Sequence, residues 1–145
     1  MKTTKKRKGK RKMTGWIITG VIVIAVAIAG GIGWSKVSKE HQQMRSLPLN
    51  KVDFSNLKDG TYKGTFDGGM YKWRENEIQV TVENGQVTSI QVLKHKENRS
   101  QEFTDKLFNR VIQSQSLKVD VVTGATMTSK AYLQGVENDL KEAQE

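Results

Sequence analysis

The most prominent pattern in the chain is an uninterrupted apolar run. Residues 16–34 read WIITGVIVIAVAIAGGIGW and contain no charged side chain. As an α-helix they would extend about 28 Å, close to the roughly 30 Å hydrocarbon core of a bilayer. Trp16 and Trp34, at its two ends, are typical of interfacial anchors. The run therefore predicts a single transmembrane helix.

A cleaved signal peptide is the alternative interpretation of this run. Residues 17–29 have the length of an h-region, and Ala27-Ile28-Ala29 would be an acceptable cleavage site. Because apolar residues and Trp34 continue beyond that site, we expect an uncleaved anchor.

A polar linker, residues 35–58, follows the apolar run. Val37, Met44 and Leu47 indicate a short helix in it, which Pro48 would end. As a random coil the linker would span about 25–30 Å, which keeps the next segment close to the membrane.

Residues 59–145 carry the periodicities of a small folded domain. Two-residue alternation predicts a strand at Tyr62 and Phe66 and another at Ile78, Val80 and Val82. Asn84-Gly85 predicts a tight hairpin turn into a strand over residues 86–94. The apolar parity of that strand shifts midway, which predicts a β-bulge near Thr88 and Ser89.

Helical periodicity appears twice in the same domain, and residues 118–122 form a short strand-like run between the two helices. Ser100 is suited to cap the first helix. The apolar stripe of this helix consists of Phe103, Leu107, Phe108, Val111 and Ile112. The second helix covers residues 129–143, with its stripe at Leu133, Val136, Leu140 and Ala143. The expected fold is α+β: a single transmembrane helix, then a small domain with an antiparallel sheet and two helices.

The net charge of +9 is concentrated at one end of the chain. Residues 1–12 hold eight of the 24 basic residues and no acid, so the remainder carries 16 basic and 15 acidic residues. A nearly neutral domain does not indicate a nucleic-acid partner. A basic tail, residues 1–15, before the apolar run predicts a cytoplasmic N-terminus and a domain outside the membrane.

The rare residue types exclude several kinds of chemistry. There is no Cys, which excludes iron–sulfur clusters, thiolate metal sites and a cysteine nucleophile. His41 and His95, the two histidines, cannot make a His-rich metal site, so we expect no metal ligands. No catalytic acid–base pair is evident, and harder chemistry would need a borrowed cofactor.

One segment is rich in hydroxyl groups. Residues 120–129 read DVVTGATMTS and join a strand-like run to a helix start, where free backbone N–H groups suit a phosphate. Gly124 and Ala125 would let a bulky group approach the backbone. The alternative is an ordinary capping loop, with Thr128 or Ser129 as the N-cap.

This hydroxyl-rich segment resembles the flavinylation motif of the FMN-binding domain family, which includes subunits of the sodium-pumping quinone reductase and of Rnf-type complexes. The matching positions are Asp120, Thr123, Gly124, Ala125, Thr126, Thr128 and Ser129. The opening strand around DGTYKG and the hairpin over residues 78–92 are also similar to the family in order and spacing. The resemblance covers residues 59–145.

The resemblance implies that FMN is bonded through its phosphate to the hydroxyl oxygen of Thr126. It also implies a separate magnesium-dependent flavin transferase that uses FAD, which fits the weak nucleophilicity of a threonine hydroxyl. Asp120 and Thr123 would serve transferase recognition or hold the shape of the loop. Thr128 and Ser129 would bring hydroxyl and N–H groups near the phosphate.

The family often has a His-x-Glu-Thr-Pro-Gly loop, and this chain departs from it. His95 and Glu97 match, whereas Asn98 and Arg99 stand in place of Thr and Pro. We expect His95 to be a solvated residue at the strand end and the basic run containing Arg99 to be a wet surface. In residues 67–73, Tyr71 or Trp73 either stacks on the flavin or is an ordinary core aromatic residue of a hairpin loop.

The sequence thus predicts an electron-transfer flavoprotein in the cytoplasmic membrane, with the FMN-bearing domain outside. It would relay electrons from a membrane quinol or redox partner protein to an extracytoplasmic acceptor. Two alternatives stay open: a subunit of a flavin-dependent reductase, and a binding or sensing module that is never flavinylated.

Overall fold

The computed structural model describes residues 10–49 and 52–145, so part of the predicted basic tail and residues 50–51 of the linker lie outside it. Helix α1 covers Lys10–Arg45. Strands β1 (Gly60–Phe66), β2 (Asn76–Glu83) and β3 (Gln86–His95) follow. Two helices complete the chain, α2 (Gln101–Ser114) and α3 (Thr126–Glu142).

Helix α1 is long and apolar enough to cross a membrane. The span Gly15–Arg45 has a mean hydropathy of 2.3 over its most apolar window, and none of that window is buried within the protein. Trp16 and Trp34 are both largely exposed. The chain divides into two compact units, the second of which begins at Glu40.

The linker pattern predicts a separate short helix after Trp34, and this prediction is wrong. The polar residues after Trp34 instead continue α1 to Arg45. No Gly or Pro lies between Trp34 and Arg45, so nothing in the local sequence breaks the helix. Pro48 follows three residues after its end, as expected for a residue that cannot continue a helix.

The sheet confirms the predicted α+β class. It has the order β1-β2-β3 with both neighbouring pairs antiparallel. The alternating residues Ile78, Val80 and Val82 of β2 are fully buried. Helix α3 packs against β1 and β2, and α2 packs against β3. The hydrophobic core lies between the sheet and these two helices.

The predicted hairpin is confirmed in detail. Asn84 and Gly85 both have positive φ, +53° and +72°, as a tight turn with the twist of the flanking strands requires. Val82 pairs with Val87 but Thr81 pairs with Ser89, so Thr88 is the extra residue of a β-bulge.

The apolar stripes of the two domain helices are also confirmed. Ser100 caps α2 by accepting a hydrogen bond from the Phe103 N–H at 3.3 Å. Leu107, Phe108 and Val111 of α2 are buried. The four predicted stripe residues of α3 are buried as well: Leu133, Val136, Leu140 and Ala143.

Two predictions in this region are wrong. Residues 118–122 form no strand, because side chains rather than a neighbouring strand bond their backbone. The Arg110 guanidinium donates to the Asp120 carbonyl, and the Val122 N–H donates to the Ser129 hydroxyl at 3.1 Å. Helix α3 starts at Thr126, three residues before the predicted start, with Ala125 as its N-cap.

Candidate functional site

A β-turn leads the chain into α3. The Ala125 N–H donates to the Val122 carbonyl at 3.0 Å and closes the turn. Gly124, the third residue of the turn, has φ +78°, a value that glycine adopts without steric cost. A Cβ at Gly124 would meet no atom within 4 Å, so the space beside the turn is open.

Within the residues that the structure describes, no side chain caps the N-terminus of α3. The first N–H groups of any α-helix lack a partner within the helix. The N-cap, Ala125, offers no side-chain hydrogen bond to them. Neither Thr128 nor Ser129 is the N-cap, so the interpretation of the segment as an ordinary side-chain-capped loop is wrong. The open amides and the helix dipole favour an anion at this end of α3.

The hydroxyl-rich segment presents some of its side chains to solvent and buries others. Asp120, Thr123 and Thr126 are exposed, whereas Thr128 and Ser129 are buried. The Ser129 hydroxyl accepts the Val122 N–H bond described above, and the Thr128 hydroxyl donates to Glu97 Oε2 at 2.9 Å. The two buried hydroxyls therefore fix the shape of the segment, and Thr126 is left exposed on the first turn of α3.

Glu97 is the centre of a polar cluster behind this turn. Besides the Thr128 hydroxyl, its carboxylate binds the Arg99 guanidinium, with Nε at 3.1 Å from Oε1. Arg74 Nε lies 3.7 Å from Glu97 Oε2. Arg99 Nη2 also donates to the Thr128 hydroxyl at 3.4 Å. The expectation of a wet basic surface is therefore wrong for Arg99, because the Glu97 carboxylate draws it into the cluster.

His95 is likewise not a solvated strand-end residue. It is partly buried, and its Nδ1 lies 2.7 Å from the hydroxyl of Tyr132 on α3. Burial, together with the negative charge of Glu97, raises the pKa of Tyr132 to about 12, so its hydroxyl stays protonated. That hydroxyl also lies 3.3 Å from the Glu97 carbonyl, which links β3, the loop after it and α3.

The end of α1 adds residues that the sequence patterns did not assign to a site. Glu40 and Met44 are buried, and Arg74 Nη1 lies 3.8 Å from Glu40 Oε1. The Lys130 ammonium donates to the Arg45 carbonyl. The spacing of Val37, Met44 and Leu47 indicated a helix face here, but no local signal shows that Glu40 lies beneath the loop containing Arg74.

The aromatic residues of the loop between β1 and β2 contact each other. The rings of Tyr71 and Trp73 stack with centroids 4.9 Å apart and an angle of 21° between their planes. Both remain partly exposed, as does Met70. Neither ring belongs to the domain core, which excludes the interpretation of this pair as core aromatics of a hairpin loop.

Comparison with known proteins finds a family that part of this chain resembles. Residues 72–141 match the model of the FMN-binding domain. The chain is 24% identical to an uncharacterized protein of Treponema pallidum (strain Nichols), an alignment that covers 97% of this chain and 40% of that protein. This chain therefore spans 40% of the length of that relative.

A solved structure is also similar. The crystal structure of the CPE2226 protein from Clostridium perfringens superposes with a TM-score of 0.46 and 22% identity, over 61% of this chain and 89% of that one. The matched residues 72–141 contain most of the sheet, α2, the hydroxyl-rich segment and nearly all of α3, and over this region the chain is similar to the FMN-binding domain family.

Proposed function

We propose that the domain carries FMN covalently, through a phosphoester to the Thr126 hydroxyl oxygen. The observation that carries the proposal is the position of Thr126: its side chain is exposed on the first turn of α3, where the N-cap leaves the backbone amides free. A phosphate bonded to this oxygen would lie beside those amides and the positive end of the helix dipole.

The surroundings of Thr126 fit a group of this size and charge. A Cβ added at Gly124 would meet no atom within 4 Å, and this open space favours the approach of a phosphate group. Thr128 and Ser129 keep the turn in place from below, while Asp120 and Thr123 are exposed and available to a maturation enzyme. Gly124 and Ala125 present no bulky side chain to an approaching flavin.

A separate flavin transferase would make the bond. The Thr126 oxygen would attack the FMN phosphorus of FAD, the bond from that phosphorus to the bridging oxygen would break, and AMP would leave. The hydroxyl proton would pass to a base of the transferase. A threonine hydroxyl needs such activation because it is a weak nucleophile.

Electron relay is the activity that this arrangement supports. FMN, once bound, accepts and releases electrons, and the protein supplies its position and electrostatic environment. A covalent bond keeps the flavin at high effective concentration where free FMN is scarce. With α1 in the cytoplasmic membrane and the domain outside, the donor would be a membrane quinol or redox protein and the acceptor extracytoplasmic.

The attachment is tested by co-expressing the full chain with a flavin transferase and recording in-gel flavin fluorescence after denaturation. We expect a fluorescent band for the wild type and for the control Thr61→Ala, which changes an exposed threonine of β1. The Thr126→Ala band should be dark. A fluorescent Thr126→Ala band would refute the attachment site. A dark wild-type band beside a glowing known flavinylated domain would favour the module that is never flavinylated.

The relay is tested by spectroelectrochemical titration of the flavinylated protein. A reversible flavin transition is expected, followed by electron transfer to an added acceptor without any partner subunit. If electrons pass only when a second subunit is present, the reductase-subunit alternative replaces the relay.

A further inference from the structure

A cavity of about 360 Å³ lies where the end of α1 meets the end of β1. One wall comes from α1 and the turn after it, including Met44, Ser46 and Leu47. Phe66 and Gly69 contribute to the opposite wall. The volume is in the range of pockets that bind small molecules, and the exposed lining is mostly apolar. All of its lining residues lie before the family match at residues 72–141.

The position of Lys130 connects this cavity to the proposed attachment site. Thr126 and Lys130 are four residues apart in α3, so they lie on the same face, about 6 Å apart along the axis. The Lys130 ammonium donates to the carbonyl of Arg45, which is the neighbour of Met44 and Ser46 in the chain. The Lys130 side chain therefore connects the α3 face that carries Thr126 to the end of α1, which forms one wall of the cavity.

The charged residue that lines the cavity, Glu40, lacks hydrogen-bond partners. Glu40 lines the cavity and is fully buried, with Arg74 Nη1 at 3.8 Å. In residues 10–49 and 52–145, neither carboxylate oxygen of Glu40 has a hydrogen-bond partner, nor do Nε and Nη1 of Arg74. Buried charged groups normally find such partners. Arg74 does not line the cavity and lies between the carboxylates of Glu40 and Glu97, so the two Glu40 oxygens are the atoms that point to a ligand with a donor of its own.

We propose that the cavity holds the isoalloxazine ring of the FMN attached to Thr126. This inference rests on the proposed function. The ring is planar and largely apolar, with an N–H group at its polar edge, and this matches apolar walls with the Glu40 carboxylate at their margin.

The consequence for the chemistry is electrostatic. The Glu40 carboxylate beside the ring disfavours the added negative charge of the reduced flavin and lowers its midpoint potential. Met44, Leu47 and Phe66 would supply apolar contacts to the ring. In this arrangement the juxtamembrane end of α1 is part of the flavin site.

The test uses the full-length flavinylated protein in detergent and compares Ser46→Trp with Ser55→Trp. Both serines are exposed, and Ser55 lines a separate cavity of about 310 Å³. Ser46→Trp is expected to displace the ring into solvent. Iodide should then quench the flavin fluorescence more strongly, and the midpoint potential of the flavin should move toward that of free FMN. Ser55→Trp should leave both quantities at wild-type values.

A second variant tests the placement of the ring without filling the cavity. Glu40→Gln retains the shape of the side chain and removes its charge, and we expect a positive shift of the midpoint potential with unchanged covalent flavin. Covalently flavinylated Ser46→Trp and Glu40→Gln proteins that match the wild type in quenching and potential would overturn the placement of the ring. A wild type without covalent flavin would instead overturn the proposed function, and this placement with it.

Discussion

The residues of the hydroxyl-rich segment divide into two groups by their exposure. Asp120, Thr123 and Thr126 are open to solvent, so an enzyme can reach them. Thr128 and Ser129 are buried, and their hydroxyls bond Glu97 and the Val122 N–H. Consecutive residues of similar chemistry are thus divided by the fold into exposed side chains and buried ones, and the proposed attachment at Thr126 needs only the exposed group to be accessible.

Asp139 is a buried acid on the other end of α3. Burial, aided by the negative charge of Glu142, raises the pKa of Asp139 to about 8 from its ordinary value of 3.8. Between these two values the folded protein holds a proton that the unfolded chain has lost. The free energy of unfolding therefore falls as pH rises from about 4 to about 8.

Asp139→Asn should remove this contribution, because the amide does not titrate. We expect the variant to be more stable than the wild type near pH 8 and its free energy of unfolding to depend less on pH. Urea unfolding from pH 5 to pH 9 measures both, with Asp105→Asn, an exposed position on α2, as the control. Equal pH dependence of wild type and Asp139→Asn would contradict the assignment of a raised pKa.

The starts of the two domain helices show what a local pattern can and cannot predict. Ser100 caps α2 with its own side chain, so the sequence identified that start. Helix α3 has no side-chain cap, and its start depends on a turn with positive φ at Gly124. Placing α3 from Thr128 or Ser129 failed because both side chains bond elsewhere in the fold.

Gly124→Ala tests the importance of that turn. The left-handed conformation costs a residue with a Cβ about 1–2 kcal/mol, and no neighbouring atom adds a clash. We expect a loss of stability of that size in urea unfolding and a lower yield of covalent flavin, because Thr126 is displaced.

Gly124→Asn is the matched control for this variant, since Asn tolerates the left-handed region better than Ala. It should fall between the wild type and Gly124→Ala in both measurements. Wild-type stability and flavin yield in Gly124→Ala would show that the turn does not position Thr126.

The distribution of charge is a property of the whole molecule. Eight cations within residues 1–12 precede an apolar helix, and the rest of the chain is nearly neutral. Each cation near an anionic leaflet contributes about 1 kcal/mol, so the asymmetry favours retention of the basic end in the cytoplasm. We therefore expect the positive charge to affect membrane topology rather than the ligand of the domain.

A C-terminal reporter that is active only outside the cytoplasm tests this orientation. We expect activity for the wild type and a lower exported fraction when Lys5, Lys6, Arg7 and Lys8 are replaced by Gln. The same substitution at Lys94 and Lys96 of the domain should have no effect. Activity only from a cytoplasmic reporter at the C-terminus would reverse the proposed topology, and an unchanged chain length after membrane insertion would exclude a cleaved signal peptide.

The sequence by itself determined the features that depend on neighbours along the chain. The apolar helix, the Asn84-Gly85 turn, the bulge at Thr88, the Ser100 cap and the stripes of α2 and α3 all follow from spacing, backbone preference or local hydrogen bonds. The hydroxyl-rich segment was identified in the same way, because its residues are consecutive.

Only the tertiary structure decided which distant residues meet. The approach of Glu40 to Arg74, of Glu97 to Thr128 and of Lys130 to Arg45 joins parts of the chain whose side chains carry no local sign of their partners. Such contacts depend on how the sheet and the helices pack. A charged side chain needs a partner only when packing buries it, because a solvated charge is stabilised by water. The shape of the site beyond Thr126 is therefore a product of packing.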